Sequence, residues 1–224
     1  MSLYATAEEI AEVYRETGVR GLIVGSTGNV SARTETGMLI TPSGVTGDAV
    51  RADVLVPMTL EGKAEGSLKP SSEWEMHAAI YRRCPEAMVI VHTHSDHATA
   101  LACLNLPLPP FHYGVLEFGG PDVRCAPYVT FGTRELGLLA AEAIADRRAC
   151  LLANHGMICH GPNAGAALTL AIKLETLCRQ YLLARGAGTP RLLTEAEIEA
   201  ARIRYRSYGQ QPKTTEPTKK RSSK

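Results

Sequence analysis

Three of the chain's seven histidines fall within six residues, in "VIVHTHSDH" (89–97), directly after an apolar run. Val89, Ile90 and Val91 are β-branched and predict a buried strand. Side chains alternate across a strand, so His92 and His94 share one face. Two imidazoles at a strand end can hold a metal ion, or can simply be polar groups where a strand meets solvent. A third ligand decides between these readings. "ACLLANHG" (149–156) supplies a candidate, because it is a second buried strand ending in a histidine, with Gly156 allowing a sharp turn. Two strands of one sheet delivering His92, His94 and His155 to the same edge would give three nitrogen ligands and one open position. That is the composition of a catalytic zinc site, not of a closed structural one. Imidazole ligands also suit other divalent metals. The plainer alternative is that His155 only caps a strand. His77, His97, His112 and His160 lack this context and are expected at the surface or in packing.

A metal held by neutral imidazoles needs a carboxylate nearby to move protons. Glu73 in "PSSEW" fits, because it is expected in the first turn of a helix. Ser71 and Ser72 beside it offer hydroxyls and backbone N–H groups at a helix N-terminus, where anions bind well. "TGNVSAR" (27–33) and "TPSG" (41–44) are small-residue stretches whose amides can wrap a phosphate, although most such stretches are only turns. Their convergence on one anion would explain so many small polar residues near one carboxylate.

These residues need a scaffold, and the patterning supplies one. "TAEEIAEVYRETG" (6–18) has a Thr cap followed three residues on by Glu, which predicts a helix. Residues 21–66 alternate in short runs broken by Gly, Pro and Asp, predicting antiparallel strands and hairpins. A helix is expected over 71–85 with a Ser72/Glu75 capping box, then the His92 strand, then a helix over 96–105. A Pro-rich loop, "LPLPPFHYGVLEFGG" (106–120), leads to a short strand near "VRCAPY" (123–128). Helices follow over 133–148, 163–186 and 194–209, the last with a Thr194/Glu197 box, and the 149–156 strand lies between the first two. The expected fold class is α/β: one domain, 1–209, with a mainly antiparallel sheet between helices in three α/β/α layers. Residues 210–224 are polar and basic and read as a disordered tail.

Composition narrows the class of function. A net charge of +1 gives no overall attraction to nucleic acid or to a membrane surface. No apolar stretch reaches membrane-helix length, and the N-terminus turns acidic too early for a signal peptide. Six scattered cysteines without a CxxC pair suggest reduced core residues and a cytoplasmic location.

Taken together, "GNVSAR", "TPSG", "PSSEWEMH", "VHTH", "CAPYVTFGTREL" and "NHG" occur in the order and approximate spacing of the class II aldolase/adducin family. The resemblance runs from the first helix to about Gly209. It implies that His92, His94 and His155 are zinc ligands, and that Glu73 is the catalytic acid/base, which also ligates the metal when substrate is absent. Asn29, Ser43, Gly44, Ser71 and Ser72 match phosphate-binding positions. Tyr113 matches a catalytic tyrosine given by a neighbouring subunit, Phe131 an apolar wall residue near the aldehyde end, and Tyr208 a tyrosine near the C-terminus. One residue of spacing is missing before Tyr208. The implied activity is zinc-dependent cleavage of a ketose 1-phosphate, of the L-fuculose 1-phosphate type, into dihydroxyacetone phosphate and a short aldehyde such as L-lactaldehyde. The implied assembly is a homotetramer with shared sites.

Other readings share the scaffold. An aldolase for 5-deoxyribulose or 5-methylthioribulose 1-phosphate would differ only where the aldehyde end binds. The family's epimerases carry Asp where this chain has Glu73, which favours an aldolase; dehydratases and decarboxylases of related sugar phosphates also use this scaffold. An adducin-like interaction module would not need three ligands and a carboxylate together, and all four are present.

Overall fold

A computed structural model describes residues 4–205; Tyr208, the domain end at 209 and the 210–224 segment lie outside the described residues. Helix α1 (Ala7–Val19) begins as its sequence dictates. The Thr6 hydroxyl accepts from the Glu9 N–H, and the Glu9 carboxylate accepts from the Thr6 N–H, completing a capping box. Ile10, Val13, Tyr14 and Thr17 form the buried stripe of this helix.

Strands β1 (Asn29–Arg33), β2 (Met38–Ile40) and β3 (Val56–Met58) then form an antiparallel meander. They are followed by α2 (Trp74–Arg83), β4 (Val89–Thr93), α3 (Asp96–Cys103), a short 3-10 helix (Tyr113–Phe118) and β5 (Cys125–Ala126). The remaining elements are α4 (Arg134–Ala143), β6 (Ala149–Leu152), β7 (Gly156–Gly161), α5 (Ala164–Ala187) and α6 (Glu195–Tyr205).

Among the described residues the seven strands form one sheet in the order β3-β2-β1-β4-β7-β6-β5. Every neighbouring pair is antiparallel except β5 with β6. Strand periodicity sorts side chains into two cores. Val89, Val91, Leu151, Met157 and Cys159 pack with α1, α3 and α5. Ile90, Cys150, Leu152 and Ile158 pack with α2 and α4. The expected three-layer arrangement is therefore present.

The structure corrects the sequence reading at three places. The first is β7, which the sequence reading omitted. "GMICHG" is buried along its whole length and lies between β4 and β6 in the centre of the sheet. Its three apolar residues are bounded by Gly and His, too short a run for periodicity to separate from the turn before it. The second is the Ser72/Glu75 capping box, which does not form. Glu73 occupies the N-cap position without a side-chain cap bond, and its own N–H donates to the Ser71 hydroxyl at 3.2 Å. The third is α4, which stops at Ala143 rather than near 148, because the chain turns through Asp146 at φ 58°. The Thr194/Glu197 box forms as expected, with Glu197 N–H 3.3 Å from the Thr194 hydroxyl. No helix among the described residues is long and apolar enough to cross a membrane.

Candidate active site

The topology carries the histidines to one place. In the β1–β4–β7 ladder Asn29 pairs with His92, and His92 pairs with Ile158, so His92 points to the α2 side of the sheet. His94 follows one residue beyond the end of β4. His155 sits in the tight turn from β6 to β7, just after Asn154 at φ 54°. A Cβ on Gly156 would lie 2.4 Å from the Thr93 carbonyl oxygen, so only glycine lets this hairpin close against the end of β4. From the other side, α5 fixes the junction that carries His94. The Glu175 carboxylate accepts the N–H groups of His97 and Ala98, at 3.0 and 2.9 Å, at the start of α3.

The three rings stand edge to face, with centroids 4.7–4.9 Å apart. His92 Nδ1–H donates to the Met157 carbonyl at 2.9 Å, so its Nε2 keeps the lone pair. That Nε2 lies 3.0 Å from Nε2 of His94. A tetrahedral zinc ion with Zn–N bonds of 2.0–2.1 Å would set its nitrogen ligands about 3.3 Å apart, close to this spacing. Burial lowers all three imidazole pKa values, with neighbouring rings adding to the effect at two of them. His92 is held well below its ordinary value and His155 is pushed down to about 4, while His94 is lowered by burial. The rings are neutral at neutral pH, the state a cation requires.

Glu73 completes the group. Its Oε2 is 4.0 Å from His155 Nε2, and its side chain is only 7% exposed. Burial pushes its pKa up to about 7, against a lowering hydrogen bond from the Gly132 backbone. Oε2 is buried without a hydrogen-bond partner among the described residues. A carboxylate oxygen in that position is costly unless a charge or donor meets it. Three convergent lone pairs and one orphaned carboxylate oxygen fit a divalent cation.

Beside Glu73 opens a cavity of about 390 Å³, lined in part by Asn29, Ser43, Gly44, Ser71 and Ser72. The backbone accounting there refines the sequence reading. The Ser43 and Ser71 N–H groups already donate to the Lys69 and Thr41 carbonyls, at 3.0 and 3.1 Å. The cradle's candidate donors are thus the serine hydroxyls, the amides of Gly44 and Ser72, and the Asn29 side chain. Phe131 lines the same cavity at 65% exposure, beside Tyr128 and Val129. Tyr113 is not in it. That ring is half exposed, stacks on His112 with centroids 4.4 Å apart, and lines a separate cavity with Lys173 and Tyr205.

The sequence reading missed several contributors. Thr27 and Gly28 lie in a stretch it singled out and also line the cavity, as does Asn154 next to His155. The larger omission is His77, which is completely buried. Its Nδ1 lies 2.7 Å from the Ser31 hydroxyl and its Nε2 2.5 Å from Asn29 Oδ1; Ser31 in turn meets the Tyr81 hydroxyl at 2.9 Å. Burial pushes the His77 pKa down to about 3, so the ring is neutral and carries one N–H. That N–H donates from Nε2 to Asn29 Oδ1, which leaves the Asn29 NH2 as its free donor. The available signal was spacing: His77 is four residues after Glu73, hence on the same side of α2.

Residues 8–182 match the model of the Class II Aldolase and Adducin N-terminal domain. The chain is 39% identical over 216 residues to a 5-methylthioribulose-1-phosphate/5-deoxyribulose-1-phosphate aldolase of Rhodospirillum rubrum, covering 96% of this chain and 98% of that one. It is 40% identical over 204 residues to an L-fuculose phosphate aldolase of Escherichia coli, covering 91% and 95%. A solved L-fuculose 1-phosphate aldolase superposes with a TM-score of 0.86 at 35% identity, over 92% of this chain and all of that one.

Proposed function

The chain belongs to the class II aldolase and adducin family, and from that premise we propose that it is a zinc-dependent aldolase cleaving a ketose 1-phosphate into dihydroxyacetone phosphate and a short aldehyde. The observation that carries the proposal is the convergence of His92, His94 and His155 on the orphaned Glu73 oxygen, beside a cradle of small polar residues.

A divalent ion held by the three imidazoles, with Glu73 as a further ligand when substrate is absent, supplies Lewis-acid polarisation of the substrate carbonyl. The chain's own groups do the rest. Ser43, Gly44, Ser71, Ser72 and Asn29 hold the phosphate and so fix the carbon chain against Glu73. Glu73 gives a proton to C3 after the C3–C4 bond breaks and removes it in the synthetic direction. Burial, which favours the protonated carboxyl in the metal-free chain, supports Glu73 as the group that holds this proton. Tyr113, supplied by a neighbour in a homotetramer, exchanges the C4 hydroxyl proton; its place in a separate cavity of its own chain and its exposure support that reading. Sedimentation would check the tetramer. Six free cysteines agree with a cytoplasmic setting.

The apolar side of the cavity narrows the substrate. Val129, Phe131 and Tyr128 suit an aldehyde that ends in methyl. L-Fuculose 1-phosphate would release L-lactaldehyde there, and 5-deoxyribulose 1-phosphate would release acetaldehyde. Similar relatives carry both names at nearly equal identity, so the second substrate is the competing reading. Discrimination of this kind turns on 1–3 kcal/mol in an apolar pocket. A panel of ketose 1-phosphates, assayed for dihydroxyacetone phosphate release, decides: cleavage of a methyl-terminated member is expected, and cleavage of none would refute the proposal.

The buried His77 gives a second expected result. In His77→Phe the Asn29 amide loses the partner that fixes its orientation, and its carbonyl is left buried. Such a loss costs about 1–3 kcal/mol. KM for the ketose 1-phosphate should rise roughly tenfold, with a smaller change in kcat. A His77→Gln chain, which keeps a donor, should recover part of the affinity. Unchanged KM in His77→Phe would remove Asn29 from phosphate binding.

A further inference from the structure

At the opposite end of β4 from His92 lies a second cluster with metal-ligand chemistry. α2 ends at Cys84, and the chain turns at once through Pro85 and Glu86, closed by the Ala87 N–H donating to the Cys84 carbonyl at 3.0 Å. The turn therefore presents a thiol and a carboxylate two residues apart. Across from it His160, on β7 opposite Ile90, points to the same side of the sheet. Donor atoms of Cys84, Glu86 and His160 all lie within 4.8 Å of one another. Cys84 and His160 are buried, and Glu86 is exposed.

Two features show a rigid frame. Arg33 binds the turn from below: Nε donates to the Ala87 carbonyl at 2.9 Å, and Nη2 to the carbonyls of Cys84 and Tyr81 at 3.1 and 2.6 Å. His160 Nε2–H donates to the Arg147 carbonyl at 3.1 Å, which commits that nitrogen and leaves Nδ1 with the lone pair. A backbone carbonyl that fixes the tautomer of a buried imidazole is a regular support for a ligating histidine.

We propose that Cys84, Glu86 and His160 form a second divalent-metal site, for zinc, that ties the end of α2 to β7. One thiolate, one imidazole and one carboxylate suit zinc in a tetrahedron completed by water. Bond lengths of 2.0–2.3 Å place such donors roughly 3.3–3.6 Å apart, so donors now within 4.8 Å draw closer on binding, the exposed Glu86 by rotation of its side chain. Binding releases the Cys84 proton to solvent, because the thiolate is the ligand. No group of the aldolase site takes part, so this inference stands apart from the proposed activity.

Cobalt(II) titration of the metal-stripped full chain tests it. The histidine site contains no cysteine, so a near-ultraviolet thiolate-to-cobalt charge-transfer band reports the second site alone. The wild-type chain is expected to take up two ions, one of them with the band. Cys84→Ser should take up one ion without the band and keep its cleavage activity. Glu86→Gln changes only an exposed side chain, so it preserves the fold; it should weaken band formation at least about tenfold, as loss of metal-supporting groups does. Uptake of a single ion without the band, or a band that persists in Cys84→Ser, overturns the proposal.

Discussion

Replacing Glu73 by Gln is expected to slow cleavage, and exchange of the C3 proton of dihydroxyacetone phosphate with solvent, by roughly 10²–10⁴-fold, the usual share of general acid–base catalysis. The amide has the carboxyl's shape and cannot carry the proton. The same change should make the metal-free chain more stable at pH 8, and the sign follows from linkage. Burial raises the Glu73 pKa from 4.5 to about 7, so between those values the folded chain binds the extra proton. Stability therefore falls as pH rises through this window. The full loss is about 3 kcal/mol, order of magnitude, at 1.36 kcal/mol per pKa unit. Glu73→Gln removes this loss. The metal-free variant should therefore lose less Tm than the metal-free wild type between pH 5 and pH 8. Wild-type exchange rates in the variant would exclude Glu73 as the proton carrier, and identical pH profiles would place the stored cost elsewhere. A residue that costs stability and supports turnover is selected for chemistry.

What was legible in the sequence depended on whether the signal was local. The capping boxes at Thr6 and Thr194 are three-residue patterns, and both form. The serine-rich start of α2 shows the same pattern at Ser72 and Glu75, yet there Glu73 takes the N-cap position and Ser71 binds its amide. Tertiary contact outweighed propensity, because the helix end faces the cavity and not solvent. His92 and His94 could be found because strand alternation is a local rule. The meeting of His155 with them could be guessed from a matching context, but the strand that causes it, β7, could not be read from "GMICHG". The His77–Asn29 bond joins residues 48 apart in sequence and no short pattern signals it. The layered arrangement was legible from short apolar runs and capped helices, whereas the polar contacts of Asn29 and Ser31 with α2 were not.

Removing the metal is expected to have the largest effect of all. Chelator treatment should reduce cleavage by about 10³-fold or more, since Lewis-acid stabilisation of developing negative charge supplies several kcal/mol. Zinc should restore it, and other divalent ions with imidazole affinity should restore part. His92→Ala should have the same consequence without chelator. It removes the proposed ligand whose Nδ1 is already fixed on Met157, and leaves His94, His155 and Glu73 around the space the ring filled. The fold should survive better than the activity. His92 sits near the C-terminal end of the central strand β4, where backbone pairing is kept, so the cost is that of one buried ring, about 2–4 kcal/mol. Metal content by elemental analysis, far-ultraviolet circular dichroism and the dihydroxyacetone phosphate assay on the same preparation separate the outcomes. A folded, metal-free chain that still cleaves at the wild-type rate would leave the three histidines with no catalytic part. A folded His92→Ala chain with full metal content would move the ligand set elsewhere. The geometry argues against both, because the three rings converge, with His92 held on the Met157 carbonyl and His155 placed by the closed hairpin before any ion arrives. Such preorganisation is what lets a metal site bind tightly and keep one position open for substrate.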